Sequence, residues 1–171
     1  MDTQPIFGEE KETFTEKHPY LATMGRAAIV FGARELLKVS AKKVGVELGH
    51  GRQNNPSREG LIHEHPVIAT TLAVAVAPAL EELAFRELPK RYLDTKDDMT
   101  PPRRRAAELG IAATFAIGHA GKDALPLTQL IGGLNYYDIH RKKGLAHSYV
   151  AHATNNALAA GAYMLKSRKK R

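Results

Sequence analysis

The chain has 171 residues, a formal net charge of +7 and no cysteine. This length suits one domain with a sizeable core, and the missing thiols exclude disulfides and thiolate metal sites. The charge is uneven, because residues 1–17 carry five acids against two lysines and the last six residues carry five bases. A basic tail suits nucleic acid or an anionic membrane surface, and the lack of interleaved aromatic residues weighs against nucleic acid.

The pattern along the chain predicts an all-α fold, a membrane-associated helical bundle of about five helices, without repeats or strands. We divide it into a polar N-terminal arm (1–20), a helical domain (21–167) and a basic tail (168–171). The arm has no basic start followed by an apolar stretch, so we expect no cleavable signal peptide. The predicted helices cover about 21–44, 66–93, 103–121, 125–140 and 144–167.

Three of these helices carry specific expectations. The first is amphipathic, since charged residues interrupt its aliphatic positions. In the second, Pro78 predicts a kink and Pro89 a second point of strain. In the fourth, Gly132 and Gly133 are expected to weaken the helix.

The longest uncharged segment covers residues 144–165, which contain no Asp, Glu, Lys or Arg over 22 residues. As a helix it would measure roughly 33 Å, enough to cross the hydrocarbon core. Residues 66–80 are also uncharged but would measure only about 22 Å. Both ends of the longer segment are basic, so orientation stays open. We therefore predict a multi-pass membrane protein whose clearest span is 144–165.

A carboxylate pair follows the uncharged run of the second predicted helix. Glu81 and Glu82 are adjacent, and Arg86 follows Glu82 by four residues. On a helix, Glu82 and Arg86 can pair on one face while Glu81 points about 100° away. Such pairing would leave Glu81 free to act as a base. The alternative is a solvated helix end with an ordinary ion pair.

Two more polar clusters lie inside apolar helices. Phe115 and His119 are four residues apart among Ala, Ile and Gly, and His152 and Asn156 are four apart in the uncharged segment. Polar groups at such depth are costly, which suggests function. Hydrogen bonds that hold helices together are the alternative explanation.

In this order, the motifs EExxxR, FxxxH and HxxxN resemble those of the CPBP family. That family comprises CAAX prenyl protease type II-like and bacteriocin-processing (Abi) intramembrane endopeptidases. The stretch "APALEELAFRE" is similar to the family's AP-x-x-EE-x-x-FR sequence, and "AHATNNALAA" is similar to its closing helix. The resemblance covers residues 77–160 and makes 21–167 a CPBP-like helical domain. It implies that the motifs converge in a cavity within the bundle.

The resemblance also implies an intramembrane endopeptidase with a glutamate-activated water. Its implied catalytic residues are Glu81, Glu82, Arg86, His119, His152 and Asn156. Glu81 would be the general base, and the other two residues of its motif would hold and tune it. The histidine of FxxxH would help to position the water, and the HxxxN pair would stabilise the oxyanion.

Cofactor and partners follow from the same residues. We prefer a mechanism without a cofactor, but Glu81, His119 and His152 could instead supply a His₂Glu site for Zn²⁺. A zinc-dependent membrane protease therefore stays an alternative, as does a catalytically silent immunity or scaffold relative. The partners expected are a peptide or protein substrate and membrane lipid, and no nucleic acid.

Overall fold

The computed structural model describes residues 13–46, 48, 64–119 and 125–168. Six helices lie in these ranges: α1 (Phe14–Lys17), α2 (Pro19–Lys43), α3 (Pro66–Asp94), α4 (Pro101–Gly118), α5 (Leu127–Lys143) and α6 (Leu145–Arg168). The described ranges contain no strand, and one isolated bridge joins Leu48 to Leu125. The predicted all-α fold is confirmed. Most of the predicted arm, much of the segment between the first two predicted helices and the end of the basic tail lie outside the described residues.

Proline and glycine set several helix boundaries. Pro19, Pro66 and Pro101 lie in the first turns of their helices, where a missing N–H leaves no bond unmade. Gly144 is the single residue between α5 and α6, and its φ of 85° is one that residues with a side chain rarely adopt. The short α1 lies in the segment that we predicted as a polar arm.

Helix α3 runs unbroken through Pro78 and Pro89, where we expected a kink and a point of strain. Two π turns, Leu72–Val76 and Leu83–Glu87, end two residues before these prolines. In an α-helix a proline ring clashes with the carbonyl four residues back. In the π turn the N–H of Ala77 bonds instead to the carbonyl five residues back. The predicted irregularity therefore takes the form of wider turns.

The helices pack closely through small residues. Helix α6 contacts α2, α5 and α3, and α4 contacts α5. Helix α5 continues through Gly132 and Gly133, and the weakening that we expected from them stays a prediction. A Cβ at 133 would lie 3.2 Å from the Phe115 ring. Gly133 thus lets α5 approach α4, as small residues do in packed membrane helices, whereas Gly132 faces Arg34 of α2.

Part of α3 reverses the distribution of polarity that is usual in a soluble protein. The helix exposes Leu72, Val76, Leu80 and Leu83, whereas its Glu82 and Arg86 are buried. Charged groups turned toward the interior and aliphatic groups turned outward are typical of helices in lipid.

Helix α3 is the one described helix that is long and apolar enough to cross a membrane, with a mean hydropathy of 1.6 in its most apolar window. Our choice of 144–165 as the clearest span was therefore wrong by this criterion. That segment lacks charges, but His147, His152, Asn155 and Asn156 lower its hydropathy. The segment 66–80 reaches spanning length because its helix continues to Asp94.

Candidate active site

Glu81 on α3 faces two histidines from two other helices. Its Oε1 lies 3.3 Å from Nε2 of His119, at the end of α4, and its Oε2 lies 3.4 Å from Nε2 of His152 on α6. The side chain of Glu81 keeps 24% of its exposure and that of His119 keeps 37%, while His152 is buried. The carboxylate therefore remains reachable from outside on the His119 side.

The contacts of Nδ1, the other nitrogen of each ring, show which nitrogen carries a hydrogen. Nδ1 of His119 lies 2.8 Å from the carbonyl oxygen of Phe115, and Nδ1 of His152 lies 2.9 Å from Oε1 of Glu82. Both partners only accept, so each Nδ1 carries a hydrogen. Glu81 also only accepts, so the hydrogen bond between its Oε1 and Nε2 of His119 needs a hydrogen on that nitrogen too, as in the charged ring. When the ring of His152 is neutral, its Nε2 presents a lone pair to Oε2 of Glu81.

Glu82 and Arg86 form a buried ion pair beneath this group. Their side chains are 0% and 1% exposed, and the distance from Nη1 of Arg86 to Oε1 of Glu82 is 3.6 Å. Oε2 of Glu82 and both terminal nitrogens of Arg86 have no hydrogen-bond partner among the described residues. The guanidinium instead stacks on the ring of Phe115, 4.3 Å from its centroid.

Asn156 lies one turn after His152 on α6, but its hydrogen bonds go elsewhere. Its Nδ2 donates to the carbonyl oxygen of Ala73 at 2.8 Å, and its Oδ1 accepts from Asn155 at 3.4 Å. Ala73 lies in the first π turn, where a carbonyl bonds the N–H five residues ahead. For Ala73 that residue is Pro78, which has no N–H. Asn156 therefore satisfies a carbonyl that the proline leaves free.

The structure thus brings five of the six predicted residues into one connected group. These are Glu81, Glu82, Arg86, His119 and His152. The sixth, Asn156, adjoins the group through its helix and bonds to Ala73 and Asn155.

Two aromatic rings hold the group together. Phe115 contacts both His119, at 4.3 Å between ring centroids, and His152, at 5.8 Å. Tyr136 stacks on His152 at 4.4 Å with 17° between the planes. Tyr136 is not among the residues predicted from the sequence, since it belongs to none of the three motifs. Its position four residues after Gly132 carries no signal that separates it from an ordinary core tyrosine.

An open apolar groove of about 490 Å³ lies between α3 and α4. Its lining residues are Ala84, Leu88, Pro89, Tyr92, Leu93, Ala107 and Ile111. Ala84 follows Glu81 by three residues on the same helix, so the groove begins about one turn from the carboxylate. The groove offers surface for apolar groups beside the polar cluster and contains no carboxylate or imidazole of its own.

The three candidate zinc ligands are Glu81, His119 and His152. An imidazole pair with one carboxylate is a donor set that suits zinc. Within the described ranges, however, no group of three or more His, Asp or Glu side chains is arranged to hold a metal ion. The residues as placed do not fit the metal, and the zinc alternative stays a prediction.

Comparison with known families gives one match. The family model described as type II CAAX prenyl endopeptidase Rce1-like matches residues 63–158, which is more than half of the 171 residues. No curated protein and no solved structure matches the chain. The matched range contains all three motifs, from Glu81 to Asn156. The chain therefore belongs to the Rce1-like family of type II CAAX prenyl endopeptidases, which are membrane proteases.

Proposed function

We propose that the protein is an intramembrane endopeptidase in which Glu81 activates a water molecule. The observation that supports this most directly is the carboxylate of Glu81 facing Nε2 of both His119 and His152. Nε2 of the charged His119 ring donates to Glu81, while the carboxylate and Nε2 of a neutral His152 ring are acceptors. A water bound among them donates its hydrogens to these acceptors. Glu81 takes one proton as the water oxygen attacks the substrate carbonyl.

The remaining residues have supporting roles in this proposal. Glu82 fixes the ring of His152 through Nδ1, and Arg86 neutralises the buried charge of Glu82. The amide nitrogen of Asn156 has two hydrogens, of which one goes to Ala73. The second is free to stabilise the oxyanion that forms on the carbonyl oxygen. The proton on Glu81 then passes to the leaving amine.

The family description and the apolar groove both support a proposal about the substrate. We propose a peptide or protein that carries a prenylated C-terminal CAAX segment, like the substrates after which the family is named. The groove that begins at Ala84 supports an apolar segment close to the scissile bond. A synthetic prenylated CAAX peptide is therefore the first substrate to test, with the unprenylated peptide beside it.

The decisive experiment compares Glu81→Gln with the wild type in liposomes. The substitution keeps size and hydrogen bonding but removes the base, so cleavage should fall by about 10²–10⁴-fold. Glu87→Gln is the matched control, because Glu87 lies on the same helix and pairs with another histidine, His140, at 3.0 Å. That control should cleave at nearly the wild-type rate.

Three outcomes would count against the proposal. Wild-type-like cleavage by Glu81→Gln would show that Glu81 is not the base. Loss of activity on chelation, restored by one metal, would favour the zinc-dependent alternative. A folded wild type that cleaves neither peptide would favour the catalytically silent relative.

A further inference from the structure

A cation from outside the family-matched range reaches the polar groups on α6. Arg34 of α2 donates from Nη1 to Oδ1 of Asn155 at 2.9 Å, across 121 positions of sequence. A side chain at position 132 would press on this contact, since a Cβ on Gly132 would lie 3.0 Å from Nη1. Nε of Arg34 is buried without a hydrogen-bond partner among the described residues. A buried donor without a partner costs stability, so the other contacts of this side chain must offset that cost.

The contact continues as a line of hydrogen bonds across three helices. Asn155 accepts from Arg34 and donates from its Nδ2 to Oδ1 of Asn156, at 3.4 Å. Asn156 in turn donates to the carbonyl oxygen of Ala73 on α3 at 2.8 Å. The line therefore runs from α2 through α6 to the first π turn of α3.

The chemistry of arginine gives this line a direction. A guanidinium can only donate, so the amide oxygen of Asn155 must face α2 and its NH₂ group must face Asn156. Asn156 must then accept on its oxygen and turn its own NH₂ group toward α3. The carbonyl oxygen of Ala73 at the other end only accepts, so it requires the same orientation of Asn156. Arg34 and Ala73 together exclude, for both asparagines, the flipped amide orientation in which oxygen and nitrogen exchange places.

We propose that Arg34 is a positioning residue, which acts through Asn155 to orient Asn156 as a hydrogen-bond donor toward α3. The catalytic part of this inference rests on the proposed function, in which the second amide hydrogen of Asn156 serves the oxyanion. The orientation itself does not depend on any activity.

The proposed orientation depends on whether residue 34 donates or accepts a hydrogen bond, and the variants change that property. Arg34→Lys keeps a donor and should preserve the orientation. Arg34→Glu supplies an acceptor, which draws the NH₂ group of Asn155 toward α2 and leaves the oxygen of Asn156 facing the carbonyl of Ala73. Arg34→Leu removes the constraint without reversing it. Arg26→Leu is the matched control, because Arg26 lies on α2 but bonds to Asn135 and Asp138 instead.

The first measurement is hydrogen–deuterium exchange of the backbone in residues 72–77, on the full chain in detergent. One lost hydrogen bond should speed exchange there by about threefold to tenfold. We expect acceleration in Arg34→Leu, more in Arg34→Glu, and none in Arg34→Lys or Arg26→Leu. Gly132→Ala presses on the guanidinium without replacing Arg34 or either asparagine, and should also accelerate exchange if Arg34→Leu fails to fold.

The second measurement is cleavage of the prenylated peptide. Arg34→Leu should lower kcat by roughly tenfold or more, with KM nearly unchanged, since misaligning an oxyanion donor acts on the transition state. In an Asn155→Ala background the same substitution should change neither kcat nor exchange. Equal acceleration of exchange by Arg26→Leu, or none by Arg34→Leu, would overturn the inference. A wild type that is inactive but shows the expected exchange pattern would overturn the proposed function and the catalytic part alone.

Discussion

Glu82 accepts a hydrogen bond from Nδ1 of His152 at 2.9 Å, while the adjacent Glu81 lies 3.4 Å from Nε2 of the same ring. One imidazole therefore has a carboxylate at each nitrogen. The two glutamates differ in exposure, because Glu82 is fully buried and Glu81 is not. Neighbouring residues of the same type thus occupy positions suited to different tasks, one structural and one open to a reactant.

Glu82→Gln should separate these tasks. Its carbonyl oxygen can still accept from His152, but the buried Arg86 loses its counter-charge. We expect the free energy of unfolding to fall by about 3–5 kcal/mol, the range for breaking a buried ion pair. Cleavage per folded molecule should fall by less than the roughly 10²-fold expected at minimum for Glu81→Gln. Thermal unfolding in detergent and cleavage rates measure both, and a stable but inactive Glu82→Gln would contradict the division.

Arg86→Ala should destabilise the protein through the same pair. It leaves Glu82 charged and unpaired in the interior and removes the stacking on Phe115, so a loss of about 3–5 kcal/mol is expected. Arg91→Ala is the control on the same helix, since Arg91 is 73% exposed and its pair with Glu87 should contribute about 1 kcal/mol or less. Similar losses for both variants, measured by thermal unfolding, would show that burial does not govern the pair.

Pro78 and Asn156 should be energetically coupled. Asn156→Ala leaves the carbonyl of Ala73 unsatisfied, at a cost of about 1–3 kcal/mol. Pro78→Ala restores an N–H at the position that the π turn presents to this carbonyl. Asn156→Ala should therefore cost less stability in the Pro78→Ala background than in the wild type. A double-mutant cycle on unfolding should give a coupling of about 1 kcal/mol. Pro89→Ala serves as control, and equal coupling of Asn156 to both prolines would refute the assignment.

The protein should remain with membranes after an alkaline wash. Helix α3 has the length and hydropathy of a span, and its aliphatic side chains face outward. Fractionation followed by detection of the full chain tests this, and multi-pass insertion stays a prediction that protease accessibility on both sides of a vesicle would check. Recovery of a folded, monodisperse protein without detergent would contradict membrane insertion.

Spacing within a helix was enough to predict much of the site. Glu82 with Arg86 and His152 with Asn156 are four residues apart, and helical periodicity places each pair on one face. The family resemblance then supplied the expectation that separate helices meet. The distances of Glu81 to His119 and His152 agree with that expectation of proximity, while the catalytic roles remain proposals.

Contacts made between helices by residues outside the motifs could not be predicted in the same way. Arg34 reaches Asn155 only because α2 lies beside α6 and Gly132 leaves room, and no local pattern encodes that meeting. No sequence pattern distinguishes Tyr136 from an ordinary core tyrosine either. The spanning segment was misjudged for another reason, since the absence of formal charge does not measure the cost of burying imidazoles and amides.

The two π turns of α3 also make its residue count matter. Each wide turn accommodates a residue that an ordinary α-helix over the same path would not contain. Deleting one residue from Leu72–Val76 would restore a regular helix over the same path and leave Glu81 and Glu82 facing α4 and α6. It would also bring back the clash between the ring of Pro78 and the carbonyl four residues before it. A one-residue gap in this stretch should therefore be tolerated best when Pro78 is replaced as well.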